Sequence, residues 1–169
     1  AETRSEIFRR ERQALEAIRA EGSRGAIIWH QGGVDTLPDL LRFQDSGIPS
    51  VLVDRRDPII LSDYVGIDNI EAAKEAVEYL LELGHRRIAH LTMAGEIITV
   101  RDREQGYMEA MRSRGIDPAP EWIYRMSNPT QIQPPVTKAV EHLLSLAEPP
   151  TAIFAMNDLL AHELITDLE

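Results

Sequence analysis

The sequence predicts an α/β protein built on parallel, doubly wound sheet. Two observations carry that reading. Short apolar runs alternate with segments of helical periodicity along the whole length, and the runs are unbroken rather than alternating apolar with polar, as in strands flanked by helices. Helices alternating with buried strands imply parallel neighbours joined by right-handed crossovers.

The first helix opens at Thr3-Arg4-Ser5-Glu6, a capping-box pattern in which hydroxyl and carboxylate satisfy each other's free backbone N–H groups. Ile7, Phe8, Ala14, Leu15 and Ile18 line one side of it, and Gly22 stops it. Gly25 to Trp29 follows, and its uninterrupted Ala-Ile-Ile-Trp suits a strand covered on both faces. Next come a helix from about Leu37 to Gln44, a strand from Ile48 to Val53, a less regular passage at Ile59 to Leu61 and a crossover at Val65 to Ile67.

The following helix can be derived residue by residue. Ala73, Ala76, Val77 and Leu80 recur at i, i+3, i+4 and i+7, with Leu83 extending the stripe, while Glu71, Lys74, Glu75, Glu78 and Glu82 take the wet side. Gly84 sits where a left-handed cap is wanted. His85, Arg86 and Arg87 place positive charge beside the last free carbonyls, which makes His85 architectural. A strand from Arg87 to Leu91, a helix from about Arg101 to Arg114 and a strand from Trp122 to Met126 continue the alternation. The tail is a helix with Val136, Ala139, Val140, Leu143, Leu144 and Ala147 in register, a strand Thr151 to Ala155, and a last helix bearing Leu160, Leu164, Ile165 and Leu168.

Composition narrows the function. At 169 residues the chain can bury a sizeable core, in one domain or two small lobes. Without cysteine it has no disulfide, thiol chemistry or sulfur-based metal site, which fits a reducing cytoplasm. No apolar run approaches the ~20 residues needed to cross a bilayer, and the charged opening helix is unlike an export signal, so the chain is expected to be cytoplasmic. A formal charge of -10 is badly suited to neutralising phosphates, so these residues are not expected to bind DNA themselves.

An enzyme would need a nucleophile elbow, a Walker loop or a dinucleotide fingerprint. Gln31-Gly32-Gly33 lacks GxGxxG and reads as ordinary loop glycine, and His85 and His90 are poorly spaced to share a metal across a helix-to-strand junction. The expectation is therefore a non-enzyme without cofactor or metal.

Ligands of open parallel sheets sit beyond the carboxyl ends of the strands. That directs attention to His30 to Gly33, Asp54 to Arg56, Asp68 and Asn69, Thr92 to Thr99, Ser127 to Thr130, and Asn157 with Asp158. Asn157 and Asp158 are also good helix caps, and Asp54, ahead of Pro58, suits a turn. Arg103 lies one turn before Tyr107, close to the expected helix start, where the dipole disfavours a cation. It is either a ligand contact or half of a surface salt bridge, and its loss should cost little stability without ligand. Arg101 reads as solvated.

Three segments, VGIDNIEAAKEAVEYLLELGHRRIAHL (Val65 to Leu91), RDREQGY (Arg101 to Tyr107) and PPTAIFAMNDLLA (Pro149 to Ala161), together resemble the core of lactose-repressor/galactose-repressor type transcription regulators, in that family's order and spacing. The resemblance implies a periplasmic-binding-protein-like (type I) fold of two doubly wound lobes. Residues 1–66 would be an incomplete N-terminal lobe and residues 67–169 the C-terminal lobe, in a core truncated at both ends. It further implies a small, sugar-like effector gripped between the lobes, a homodimer, no membrane partner, and operator DNA bound only through a missing N-terminal helix-turn-helix domain. An exported sugar-binding protein of an uptake system is the alternative. By resemblance the effector-binding residues are Arg103, three before Gly106-Tyr107, with Asn157, Asp54, Asp158, Asp68, Thr99 and Thr130. The chain departs from the family where SNPTQIQPPV carries Thr130 in place of a stacking aromatic and Pro135 in place of a glycine. It departs again at Ala161-His162-Glu163.

Overall fold

Among the described residues six short strands pair in parallel as two separate three-stranded sheets, ordered β1-β2-β3 and β5-β4-β6. The computed structural model describes residues 3–95, 97–126 and 135–168. Along the chain run α1 (Arg4–Ala20), β1 (Ala26–Ile28), α2 (Leu37–Gln44), β2 (Ser50–Val53), β3 (Asp63–Val65), α3 (Asn69–Glu82), β4 (Ile88–Met93), α4 (Ile98–Ser113), a 3-10 turn (Pro120–Trp122), β5 (Ile123–Met126), α5 (Pro135–Ser145), β6 (Ala152–Ala155) and α6 (Asp158–Leu168). The described residues group into two compact units, one from Ala1–Ile67 and Gly95–Thr99, the other from Asp68–Ala94 and Val100–Glu169.

In the first unit α1 is closed by the expected capping box: the Thr3 side chain accepts from Glu6 N, and Glu6 reaches back to Thr3 N at 2.7 Å. Leu15, Leu40 and Phe43 from α1 and α2 pack with Ile28, Leu52 and Ile60. Arg12 Nε ties α1 to the buried Asp39 of α2 at 2.9 Å. Ile27 points to the opposite side of the pleat and is 81% exposed, so β1 is not covered on both faces as its apolar run suggests. An unbroken apolar run says that the segment is apolar on both sides of the pleat. It does not say that residues of this segment cover both.

The second unit is built around β4, almost wholly buried and paired on both sides, His90 lying beside Ile123 and Phe154. Val77, Leu81, Ile88, Ala89, Tyr107, Ala110, Met111, Trp122 and Leu143 form its core. The buried seam of α3 is Ala73, Val77 and Leu81, whereas Leu83, expected to extend the stripe, lies past the last helical residue and is exposed. Gly84 takes φ 95, and the N–H of His85 closes the end on Leu80 O at 3.2 Å. The His85 ring bonds Thr151 Oγ1 at 2.9 Å, and Arg87 Nε donates to Pro149 O at 2.9 Å, so this corner joins α3 to the start of β6.

Gly106 governs how α4 meets α3. A Cβ there would run into the carbonyl oxygen of Ile70 and lie 2.9 Å from Ala73 Cβ. One residue on, the buried Tyr107 hydroxyl donates to Ile88 O at 2.8 Å, fixing α4 on the central strand. The phenol is held above its ordinary pKa, first by burial and then by the charge of Glu104.

His90 is enclosed between the rings of Tyr107 and Phe154, with centroids 5.2 and 4.9 Å away. Its Nδ1 lies 3.0 Å from Phe154 O, an acceptor, so Nδ1 carries the proton in the neutral ring. Burial lowers its pKa from 6.5 to about 4. Between those values the unfolded chain binds the proton and the folded chain does not, so stability is full above 6.5 and falls as pH drops toward 4. Denaturant unfolding at pH 7 and pH 4.5 is therefore predicted to differ by roughly 2 kcal/mol more in the wild type than in His90→Phe. Identical pH dependence in the two proteins would contradict this.

Candidate functional site

Each unit gathers polar side chains at the carboxyl ends of its strands, and each set is built on the backbone that ends there. In the second unit Asp68 is the N-cap of α3, its Oδ1 accepting from Ile70 N and Glu71 N at 3.1 Å each. Asn69 follows, only 4% exposed and turned inward. α4 begins at Ile98, earlier than its sequence pattern suggests, so Arg103 sits in the second turn, clear of the free N–H groups that would repel it.

Arg103 is half-buried, and among the described residues it forms no salt bridge. Its Nε–H donates to Asn69 Oδ1 at 2.8 Å and its Nη1 to Met156 O at 2.6 Å. One half-buried guanidinium thus ties the start of α3 and the end of β6 to α4. Arg101 is exposed. Asn157, immediately after Met156, caps α6: Oδ1 accepts from Leu160 N at 2.9 Å, and its carbonyl accepts from Ala161 N at 3.1 Å. Capping uses only the oxygen, so the Asn157 amide N–H groups have no partner among the described residues. Exposed Asp158 turns Oδ1 onto Leu159 N at 2.9 Å. Of the two cap candidates here Asn157 makes the cap, and Asp158 is the first residue of α6; what the sequence did not disclose is that Asn69 grips Arg103.

The first unit centres on Asp54, the one non-glycine among the described residues with positive φ, at 66°. Asp tolerates this region better than most residues, but holding it there needs surrounding bonds. Its N–H donates to Val65 O at 2.9 Å, the Tyr64 hydroxyl donates to its carbonyl at 2.9 Å, and Trp29 Nε1–H donates to Oδ2 at 3.0 Å. The Arg55 guanidinium lies 5.0 Å from the centroid of the Trp29 ring and donates to the carbonyls of His30 and Gln31.

His30 is buried in one neutral tautomer, Nε2–H donating to Arg55 O at 2.9 Å and Nδ1 accepting from Gly32 N at 3.1 Å. Burial lowers its pKa, consistent with both ring nitrogens being used by uncharged partners. Glu11 on α1 accepts from Gln31 N at 3.0 Å, and burial raises its pKa. Thr99, in the first turn of α4, is 7% exposed and grouped with this unit. Thr130 lies outside the described residues. The sequence pattern places Trp29 only within a strand. Its place at the carboxyl end of β1, where Nε1 meets Asp54, marks it as part of the same polar set.

The two sets offer hydrogen-bond donors at Arg103 and Asn157, and a carboxylate beside an exposed aromatic ring at Asp54 and Trp29. Each set by itself can hold a polar group. Among the described residues no group of three His, Asp or Glu is placed to hold a metal ion, and no helix is long and apolar enough to cross a membrane.

Residues 5–166 match the family described as periplasmic binding proteins and sugar binding domain of LacI family. Over 113 residues the chain is 37% identical to the HTH-type transcriptional repressor CytR of Escherichia coli K12, a match covering 67% of this chain and 32% of the repressor. The crystal structure of a transcriptional regulator, LacI, from Bacillus cereus subsp. cytotoxis superposes with a TM-score of 0.81 and 29% identity, over 99% of this chain and 57% of that one. The transcriptional regulator CelR, solved in complex with cellobiose, superposes at 0.77 with 25% identity over 94% and 47%. These are named as regulators of transcription, and the chain spans a third to somewhat over half of their length.

The backbone of Asp54 yields a test. Asp54→Gly, which takes φ 66° freely, should leave stability within about 0.5 kcal/mol of wild type despite the lost Trp29 bond, whereas β-branched Asp54→Val should cost about 1 to 3 kcal/mol. Equal losses in thermal unfolding would mean that the side-chain bond, and not the backbone, dominates.

Proposed function

We propose that this chain, which belongs to the LacI family of periplasmic-binding-protein-like domains, is the effector-binding and dimerisation core of a bacterial transcription regulator. In this proposal residues 1–66 contribute to the N-terminal lobe and residues 67–169 form the C-terminal lobe, and a small, sugar-like effector contacts both. Sugar binding by the matched family and the cellobiose carried by CelR support that class of ligand. The charge of -10 leaves operator DNA to a separate helix-turn-helix domain. A homodimer places two such domains on a two-fold operator. The effector acts by shifting the population between two lobe arrangements that present the DNA-binding domains differently.

The observation that carries the proposal is the guanidinium of Arg103, anchored at two points beside the half-exposed amide of Asn157. Two of its five N–H donors are used, which fixes the plane in which the others meet a ligand. Asp54 is the corresponding contact from the first unit, with Thr99 and Thr130 further contributors. Asp68 and Asp158 serve mainly by fixing the helix starts that carry Asn69 and Asn157.

The test is made on the intact regulator, with an effector found by thermal-shift screening of sugars, phosphosugars and nucleosides. By calorimetry Arg103→Ala should weaken effector binding by roughly 1.5 to 3 kcal/mol, and Arg103→Lys should not restore it, because a point charge cannot reproduce the planar fork. Arg101→Ala should bind as the wild type does. Contrary to what the sequence suggests, Arg103→Ala should also lower ligand-free stability by about 1 to 3 kcal/mol, since Asn69 Oδ1 and Met156 O both lose their donor. Unchanged effector affinity in Arg103→Ala would remove Arg103 from the site.

A further inference from the structure

Arg103 brings a positive charge into a half-buried position, yet both of its partners among the described residues are neutral oxygens, Asn69 Oδ1 and Met156 O. Three carboxylates next in the chain to Asn69, Asn157 and Arg103 have partners of their own. Asp68 accepts from Ile70 N and Glu71 N, Asp158 from Leu159 N, and Glu104 pairs with Arg125 at 2.6 Å. A partly desolvated cation is only partly offset by neutral acceptors, and a carboxylate at residue 69 would have satisfied it better. Asparagine there has nearly the same shape as aspartate without the charge. It is almost fully buried, fixed at the first residue of α3, and brought within 2.8 Å of Arg103 where Gly106 lets α4 close on Ile70.

We propose that Asn69 is a positioning residue that holds Arg103 by a neutral oxygen, so that the guanidinium keeps its whole charge for an oxyanion group of the effector, a carboxylate or a phosphate. The inference rests on Arg103 facing the effector. It adds that the effector, or the part of it in the second unit, is anionic, and that Asn69 sets both the aim and the charge of the group that meets it.

The experiment uses the intact regulator labelled with 15N-arginine, the Arg103 Nε–H resonance being assigned by its absence in Arg103→Lys. Without ligand this proton should exchange slowly in the wild type and in Asn69→Asp, and rapidly in Asn69→Ala. Inorganic phosphate and acetate then serve as minimal oxyanions, with glucose as the neutral control. One or both anions should shift the wild-type Arg103 resonance at tens of millimolar while glucose does not, and the stronger response tells phosphate from carboxylate.

In Asn69→Asp the anion response should fall about tenfold or more although the slow exchange remains, a separation that a merely structural asparagine would not produce. Unchanged exchange in Asn69→Ala overturns the proposal. So does an anion response equal in wild type and Asn69→Asp, or a wild-type Arg103 that answers neither anion. Failure of the underlying reading looks different: Arg103→Ala then binds effector normally, whatever the Asn69 variants do.

Discussion

The close approach of α4 to the first turn of α3 is the constraint on which the second unit depends. Only a residue without a side chain fits at Gly106, against Ile70 O and Ala73 Cβ. Because the helices meet there, Tyr107 on one side reaches Ile88 O under the central strand, and Arg103 one turn back reaches Asn69 and Met156. One contact therefore sets both the packing of α4 and the position of Arg103. Moving the helix by a methyl group's width would disturb a buried phenol and a half-buried cation together.

Around that contact the helix caps divide the labour. Asp68 and Asn157 open α3 and α6, each accepting N–H groups that would otherwise lack partners, and in doing so each fixes its neighbour. Asp68 leaves Asn69 pointing inward, and Asn157 follows the Met156 carbonyl held by Arg103. In the first unit the corresponding anchor is the backbone of Asp54, held at positive φ by Val65, Tyr64 and Trp29. In both units local bonds fix the residues proposed to meet an effector, and in that proposal this lowers the ordering cost of binding.

The alternation of helix and parallel strand was legible in the sequence because hydrophobic period, capping chemistry and glycine placement agreed, as at Thr3, Gly84 and Asn157. The split into two sheets was legible only through family resemblance, since the alternation continues across it without a break. What misled was one-dimensional. The buried stripe of α3 ends at Leu81 and not at Leu83, because the helix stops first, and the early start of α4 moves Arg103 away from the helix end. The grip of Asn69 on Arg103 spans 34 residues and follows from helix packing, for which local spacing carries no signal. The reason for glycine at 106 likewise lies on the neighbouring helix, at Ile70 and Ala73.

Gly106→Ala in the intact regulator, followed by denaturant unfolding and by the Arg103 Nε–H exchange rate, tests most directly whether this packing contact builds the site. The account predicts a loss of about 1 to 3 kcal/mol as α4 is pushed off Ile70, together with faster exchange as Arg103 is drawn away from Asn69. A variant that keeps wild-type stability and wild-type exchange would show that the helices yield at no cost, and that the position of Arg103 does not depend on them.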